Sequence, residues 1–357
     1  MDSFAFIIHP IHPKRDVSRK YPLLGKFLTE RQINFFSTFF PPVYISEIEG
    51  ITSQATNKQI HGWFLACPLT PTRMMELPEK VVYRKIIETG RLAEKLGAQI
   101  LGLGAFTSVV GDAGITIAKE LDIPVTTGDA YTVAIGVEAL LKAAYRLNVS
   151  LSQSSAAVVG ATGAIGQVCA RKLAEKVPEL HLIGRRQSAL EALRDQIQSV
   201  TGLSNIHIST DVNDIKKANL ILTVTSAIDT IIHPEHLQSG SIICDVARPR
   251  DVSARVAAVR DDVLVIDGGM VDVPGPVDFH FDFGFPPGKA YACMAETMAL
   301  ALEGHFADYT LGKDLHLEQV NEIETMANKH GFRLSGFRSF EKAVTDEDIE
   351  RVLQRVH

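Results

Sequence analysis

Cys293 sits in the stretch Pro286-Pro287-Gly288-Lys289-Ala290-Tyr291-Ala292-Cys293-Met294-Ala295-Glu296, far downstream of a glycine-rich turn, Gly160-Ala161-Thr162-Gly163-Ala164-Ile165-Gly166. The Pro-Pro-Gly run cannot continue a helix, whereas residues 289–303 are rich in Ala, Leu, Met and Glu. A helix is therefore expected to start at Gly288 or Lys289. Cys293 then lies near its positive end, where orphan N–H groups, the macrodipole and the Lys289 ammonium would favour thiolate over thiol and make the sulfur nucleophilic. The plain alternative is a small apolar residue packed inside a helix. Candidate acid/base groups are His280, in the aromatic loop before the helix, and Glu296, one turn after the cysteine, with Asp129 as an outsider. A solvated loop histidine and a helix-surface carboxylate are the non-catalytic readings of the first two.

Around the glycine turn the pattern is strand, turn, helix, strand. Residues 156–159 form a short apolar strand, 167–177 a helix closed by Pro178, and 180–183 a second strand. This βαβ context makes the turn a dinucleotide site: Gly160, Gly163 and Gly166 give the tight turn, close approach to a diphosphate and close helix packing, with Thr162, Ala164 and Ile165 completing it. Where an NAD site presents Asp or Glu to the ribose, the chain reads Gly184-Arg185-Arg186. Two guanidinium groups would attract a 2′-phosphate, so NADPH is the expected cofactor.

Further apolar strands at 220–224, 241–245 and 263–267 complete a parallel sheet with helices on its faces. Ahead of it, residues 100–104 and 123–129 each look like a strand opening into a loop at its C-terminus, where open α/β sheets build their sites. Gly104, Phe106, Thr107 and Ser108 in one loop, and Thr127 and Asp129 in the other, are the candidate substrate residues. The fold class is α/β: an N-terminal α/β substrate domain over 1–150, a Rossmann-type NADPH domain over 151–275, and a C-terminal helical region over 276–357 carrying the cysteine. Phe27, Phe35, Phe36, Phe39, Phe40, Trp63 and Phe64 supply the first domain with aromatics for an apolar channel or, more simply, for its core.

The 357 residues, 46% hydrophobic and 22% charged with a net charge of −6, suffice for two or three domains. Dispersed charge leaves no basic stripe, which argues against nucleic acid as a partner. The N-terminus reads as a first strand rather than a signal peptide, and no segment has the length of a membrane span. Cys67, Cys169, Cys244 and Cys293 form no CxxC pair, and the first three look structural, consistent with free thiols in a reducing cytoplasm. No group of residues has evident metal-ligand spacing, although a cation could assist diphosphate binding. At most peripheral membrane contact is expected.

The chain resembles the long-chain fatty acyl-ACP reductases, aldehyde-forming enzymes of the cyanobacterial type, over most of its length. The resemblance rests on residues 16–19 (Asp-Val-Ser-Arg), 104–108 (Gly-Ala-Phe-Thr-Ser), 126–128 (Thr-Thr-Gly), 158–166, and 291–296 (Tyr-Ala-Cys-Met-Ala-Glu) followed by Leu302-Glu303-Gly304. It implies that Cys293 attacks an acyl carrier thioester, releases the carrier thiol and holds the acyl group for reduction by NADPH to fatty aldehyde. Acyl-ACP or acyl-CoA would be the substrate, and an enzyme that consumes the aldehyde a further partner. Position and resemblance together put Ser226 beside the nicotinamide half. Two departures point to a divergent branch. Asp129 replaces an Asn that usually follows the glycine, and 246–251 (Val-Ala-Arg-Pro-Arg-Asp) replaces a Gly-Gly. The second segment is similar to glutamyl-tRNA reductase, whose N-terminal cysteine motif this chain lacks. The alternatives are a shikimate-dehydrogenase-like NADP oxidoreductase of a small polar substrate, which needs no thiol, and a non-catalytic NADPH-binding protein.

Overall fold

The computed structural model describes residues 1–356; His357, the last residue of the expected C-terminal region, lies outside them. The chain forms two compact units, one of Met1–Tyr131 with Val271–Arg333, the other of Thr132–Met270 with the residues from Leu334 onward. The expected 276–357 region is thus shared between them. The helix Asp129–Arg146 carries the chain from the first unit to the second, and the division falls in its first turn. No helix among the described residues is long and apolar enough to cross a membrane.

The first unit is built on a five-stranded sheet of order β2-β3-β1-β4-β5, formed by β1 (Asp2–Ile8), β2 (Val43–Thr52), β3 (Gln59–Ala66), β4 (Leu101–Leu103) and β5 (Val125–Thr126). β1, β3, β4 and β5 run parallel, and β2 pairs antiparallel with β3. The central strand β1 is covered on both faces, which is why Phe4, Ala5, Phe6 and Ile7 form an unbroken apolar run. The helix Ala292–Glu303 is apolar around its whole circumference, and all but two of its residues are buried. It needs cover on every side, and it finds part of that cover on the sheet. A β-carbon on Gly102 of β4 would fall 2.1 Å from Thr297 Oγ1 and 2.5 Å from Phe6, so the glycine lets this helix lie directly on the strand. The expected helix start at Gly288 or Lys289 is corrected: Lys289–Tyr291 is a short strand and the helix begins at Ala292.

The second unit holds six parallel strands, β6 (Ser155–Val159), β7 (Glu179–Ile183), β8 (Ile206–Ser209), β9 (Leu220–Thr223), β10 (Ile242–Asp245) and β11 (Leu264–Asp267), in the order β11-β10-β9-β6-β7-β8. This is the doubly wound dinucleotide-binding order, with the first strand central and the chain reversing direction of travel beside it. Edge strand β8 was not foreseen. Its short run, with polar His207 and Ser209 among two isoleucines, has too little apolar content to signal a strand. The C-terminal part is also less helical than expected, because residues 338–343 form a small hairpin before the last helix, Asp346–Val356.

Candidate functional site

In the first unit, the turn that leaves the C-terminal end of β5 packs against the start of the Ala292–Glu303 helix, and the loops after β1 and β4 are tied to each other by the His9–Phe106 hydrogen bond, at the end of the strands where open parallel sheets place their sites. Cys293 is the second residue of that helix and the one cysteine of the four that is not fully buried. Gly128, after β5, packs against it: with φ +79° it occupies left-handed backbone, and a β-carbon there would lie 2.3 Å from Cys293 Cβ. Only glycine fits this approach.

Glu296 is not on the helix surface. It is fully buried, with Oε1 accepting from Thr126 Oγ1 at 2.5 Å and Thr310 Oγ1 at 2.9 Å, and Oε2 accepting from the Tyr131 N–H at 2.8 Å. The last bond caps the first turn of the Asp129–Arg146 helix, a favourable place for a carboxylate. Thr127 Oγ1 donates to Thr310 Oγ1 at 3.0 Å, and the Gly128 N–H reaches the same oxygen at 3.2 Å. One buried glutamate thus fixes the whole 126–131 turn against the cysteine helix. Burial raises its pKa, opposed by these hydrogen bonds.

The same carboxylate works against the thiol. Burial, then the charges of Glu296 and Asp129, push Cys293 up to about 12, despite the helix start that draws it down. Lys289 does not offset this, because its ammonium pairs with Asp272 at 2.5 Å. The expectation of a thiolate stabilised by Lys289 is therefore corrected: the resting sulfur is a thiol. Asp129 is buried beside it, and burial together with Glu296 raises its carboxyl to about 7. His280 is exposed and pairs with Glu49 at 3.2 Å and Asp278 at 3.4 Å, so its partners lie outside the cysteine cluster.

In the 104–108 loop the Thr107 and Ser108 hydroxyls donate to Gly104 O at 2.7 Å and Ala105 O at 2.6 Å, and Phe106 is buried. These residues shape the loop rather than present free donors. Nothing in the chain order singles out His9, at the end of β1. It is buried, accepts from the Phe106 N–H through Nε2 at 3.0 Å, and is pushed down to about 4 by burial, so it holds this loop as a neutral imidazole. Thr126 and Thr310 were missed as well; a threonine in a loop carries no signal of a distant carboxylate partner.

Aromatics approach the cysteine by another route. Phe64 on β3 stacks with Phe279 at 5.6 Å, and ring contacts continue through Phe283 and Phe285 to Tyr291, two residues before Cys293, the last at 4.4 Å. Phe283 and Phe285 are only half-buried. By contrast Phe27, Phe35, Phe36, Phe39 and Phe40 belong neither to the core nor to a closed channel, being 40–74% exposed. They lie with six Lys and Arg and two acidic residues within 12–40 of the chain.

In the second unit Gly160 has φ +82°, and a β-carbon on it would meet Val224 O at 2.5 Å. One on Gly166 would meet Gly160 O at 2.2 Å, so the helix Ala164–Ala174 packs onto the turn only with glycine there. Gly163 caps that helix and is exposed, a β-carbon on it meeting Gly160 O at 3.4 Å; Thr162, Ala164 and Ile165 are half-buried around it. Arg185 and Arg186 follow β7, exposed and without ion pairs among the described residues. The cradle and its two cations fit a phosphorylated dinucleotide. Ser226 is exposed in the loop after β9. That loop is held by Asp251, which the sequence marked only as the end of the 246–251 departure and not as a site residue; it accepts from Thr223 Oγ1, Thr225 Oγ1 and the Thr225 N–H at 2.5, 2.5 and 2.9 Å.

Residues 142–267 match the family described as shikimate / quinate 5-dehydrogenase. The chain is 33% identical over 363 aligned positions to a protein named aminotransferase PigE from Serratia sp., covering 98% of this chain but only 41% of that protein's length. It is 28% identical over 347 positions to a long-chain acyl-[acyl-carrier-protein] reductase from Synechococcus elongatus, covering 92% of this chain and 98% of the relative. Among solved structures, L-tryptophan dehydrogenase from Nostoc punctiforme aligns over 99% of this chain and 87% of its own, at 14% identity and a TM-score of 0.41. Quinate dehydrogenase from Corynebacterium glutamicum in complex with NAD aligns over 92% and 99%, at 12% identity and a TM-score of 0.38. The chain is thus similar to the full length of an acyl-[acyl-carrier-protein] reductase and to a segment of a longer protein, and the match to the shikimate / quinate 5-dehydrogenase family lies within its second unit.

Proposed function

We propose that the protein is an NADPH-dependent reductase that converts a long-chain fatty acyl thioester, acyl-ACP or acyl-CoA, to the fatty aldehyde through an acyl-enzyme on Cys293. The observation that carries this reading is a partly exposed thiol at a helix start, packed on Gly128 beside an aspartic acid that titrates near neutrality. A dehydrogenase of small polar alcohols has no use for that thiol.

As Cys293 Sγ attacks the acyl carbonyl, Asp129 takes the thiol proton, the new C–S bond forms, and the former carbonyl oxygen becomes an oxyanion. The N–H groups of the cysteine helix's first turn receive it. Collapse breaks the bond to the carrier sulfur, which leaves as a thiol with the proton returned by Asp129. Glu296 is a positioning residue, since both its oxygens already hold the 126–131 turn and Thr310. Gly160, Gly163, Gly166, Arg185 and Arg186 would hold NADPH, and Ser226, in the loop after β9, would serve its nicotinamide half. When bound, the cofactor would supply the hydride that turns the acyl group into aldehyde, and a proton from solvent would return the released Cys293 sulfur to the thiol. Phe283, Phe285 and Tyr291 offer the acyl chain an apolar wall. Free cysteines suit a cytoplasmic setting, and the exposed aromatics among basic residues suit peripheral contact with a lipid surface, where a greasy product would be passed on.

The test is incubation with palmitoyl-CoA in the absence of NADPH, followed by intact-mass measurement. The expected result is one added acyl group, released by hydroxylamine and absent from Cys293→Ala. A wild-type chain that gains no acyl group overturns the reading, and turnover of a small polar alcohol with NADP would then favour the dehydrogenase alternative.

A further inference from the structure

We infer that Glu179, His181 and His207 form a binding site for a divalent transition-metal ion of the zinc class, on the outer edge of the second unit's sheet. Strand geometry brings the three together. Glu179 and His181 are two residues apart on β7 and so project from the same face, and His207 on β8 is the direct register partner of His181. The two imidazoles stack with centroids 4.8 Å apart and planes at 22°. Both present Nε2 to one carboxylate oxygen, Glu179 Oε1, at 3.2 Å from His181 and 3.1 Å from His207. All three donor atoms lie within 4.8 Å of one another.

This spacing is informative. Zinc ligands lie about 2.0–2.2 Å from the metal, which puts neighbouring donor atoms of a tetrahedral site roughly 3.3 Å apart. The two N···O separations already have that length, so an ion could enter with small side-chain adjustments. Two imidazole nitrogens and one carboxylate oxygen suit Zn²⁺, Co²⁺ or Ni²⁺, and suit Mg²⁺ poorly. His181 is buried, whereas His207 is half-exposed on the edge strand, which leaves a side open for entry and for a fourth, water ligand. His181 and His207 line a cleft of about 140 Å³ that Asp214 and Lys217, which pair at 2.6 Å, also bound. Glu179 at the histidine nitrogens and Asp214 in the cleft set two carboxylates against the one ammonium of Lys217. A bound ion would clip β8 to β7, the strand that leads into Arg185 and Arg186. The inference stands apart from the thioester chemistry, since no residue of it serves the proposed reaction.

The experiment is Zn²⁺ titration of the metal-stripped full chain against a chromogenic chelator, with thermal unfolding followed in parallel. Cys293→Ser serves as the background so that the accessible thiol cannot hold the ion. Expected are one zinc per chain, a rise in Tm of several degrees reversed by EDTA, and no rise with Mg²⁺. His207→Ala, at an exposed position that leaves the fold intact, should weaken zinc binding at least ~100-fold, more than loss of an outer-shell partner costs. Glu179→Gln should weaken it in the same direction. Equal zinc binding by His207→Ala and its background, or no zinc bound at all, overturns the site.

Discussion

Gly128 and Cys293 are in backbone contact: the space a side chain would need at 128 is filled by the cysteine's α- and β-carbons, 2.4 and 2.3 Å from the ideal β-carbon position. The thiol and the turn after β5 are therefore one structural object, and disturbing the turn moves the sulfur.

Gly128→Ala tests this directly. The alanine would have to keep φ near +79° or push the cysteine helix away. Positive φ alone costs on the order of 1–3 kcal/mol. A fall in Tm of several degrees and loss of acyl-adduct formation are expected, and an adduct rate equal to wild type would show that the contact does not position the sulfur.

Glu296→Gln removes a charge that raises the thiol pKa. Iodoacetamide alkylation of Cys293 should then reach half-maximal rate at lower pH, with at least a threefold faster rate at pH 8, roughly the effect of half a pK unit. The amide offers only one acceptor oxygen to three donors, so stability should fall by about 1–3 kcal/mol. An unshifted alkylation profile would remove Glu296 from the electrostatics of the thiol.

Asp129 gives a pH signature. Its carboxyl titrates near 7 in the folded chain and near 3.8 as an unperturbed group, so between those values the native state holds the proton more tightly. The stability it contributes is present below about pH 4 and declines as pH rises towards 7, by at most a few kcal/mol in order of magnitude. Asp129→Asn escapes this decline. Its Tm advantage over wild type should grow from pH 5 to pH 8, and a constant difference would place the aspartate in a more polar setting than its burial indicates. Acylation should slow in the same variant.

Replacing Arg185 and Arg186 with alanine should raise the KM for NADPH about tenfold or more while leaving that for NADH nearly unchanged, since charge-assisted hydrogen bonds are worth about 1.5–3 kcal/mol each. Equal effects on both cofactors would mean that these arginines do not meet the 2′-phosphate.

Phe35 and Phe39 are 57% and 70% exposed in a segment that is locally basic on a chain of net charge −6. Replacing both with serine should lower co-sedimentation with vesicles containing phosphatidylglycerol at least tenfold, because burying each ring is worth about 1.5–3 kcal/mol. Wild-type binding should weaken with salt. Binding that neither the substitutions nor salt affect would exclude this face.

Much of the second unit was legible in the chain because its signals are local. A glycine turn between two short apolar strands, and two arginines where a carboxylate often stands, are read from contiguous residues, whereas the order of the strands and edge strand β8 came only with the structure. The aromatic-rich stretch at 27–40 was legible as composition but not as place: phenylalanines signal burial on average, and here they face outward. Lys289 shows the same limit, since a lysine beside a cysteine in sequence gave its charge to Asp272.

The amino-acid order by itself determined the α/β class, the dinucleotide turn and the presence of one cysteine at a helix start, because each depends on neighbours within a few residues. Only the tertiary structure decided that Glu296 is buried under Thr126 and Thr310, that Asp129 is drawn into the site, and that His207 meets His181 and Glu179. Those pairings join residues up to 170 positions apart. They arise from strand register and helix packing, whose energies depend on the assembled core rather than on any local stretch of the chain.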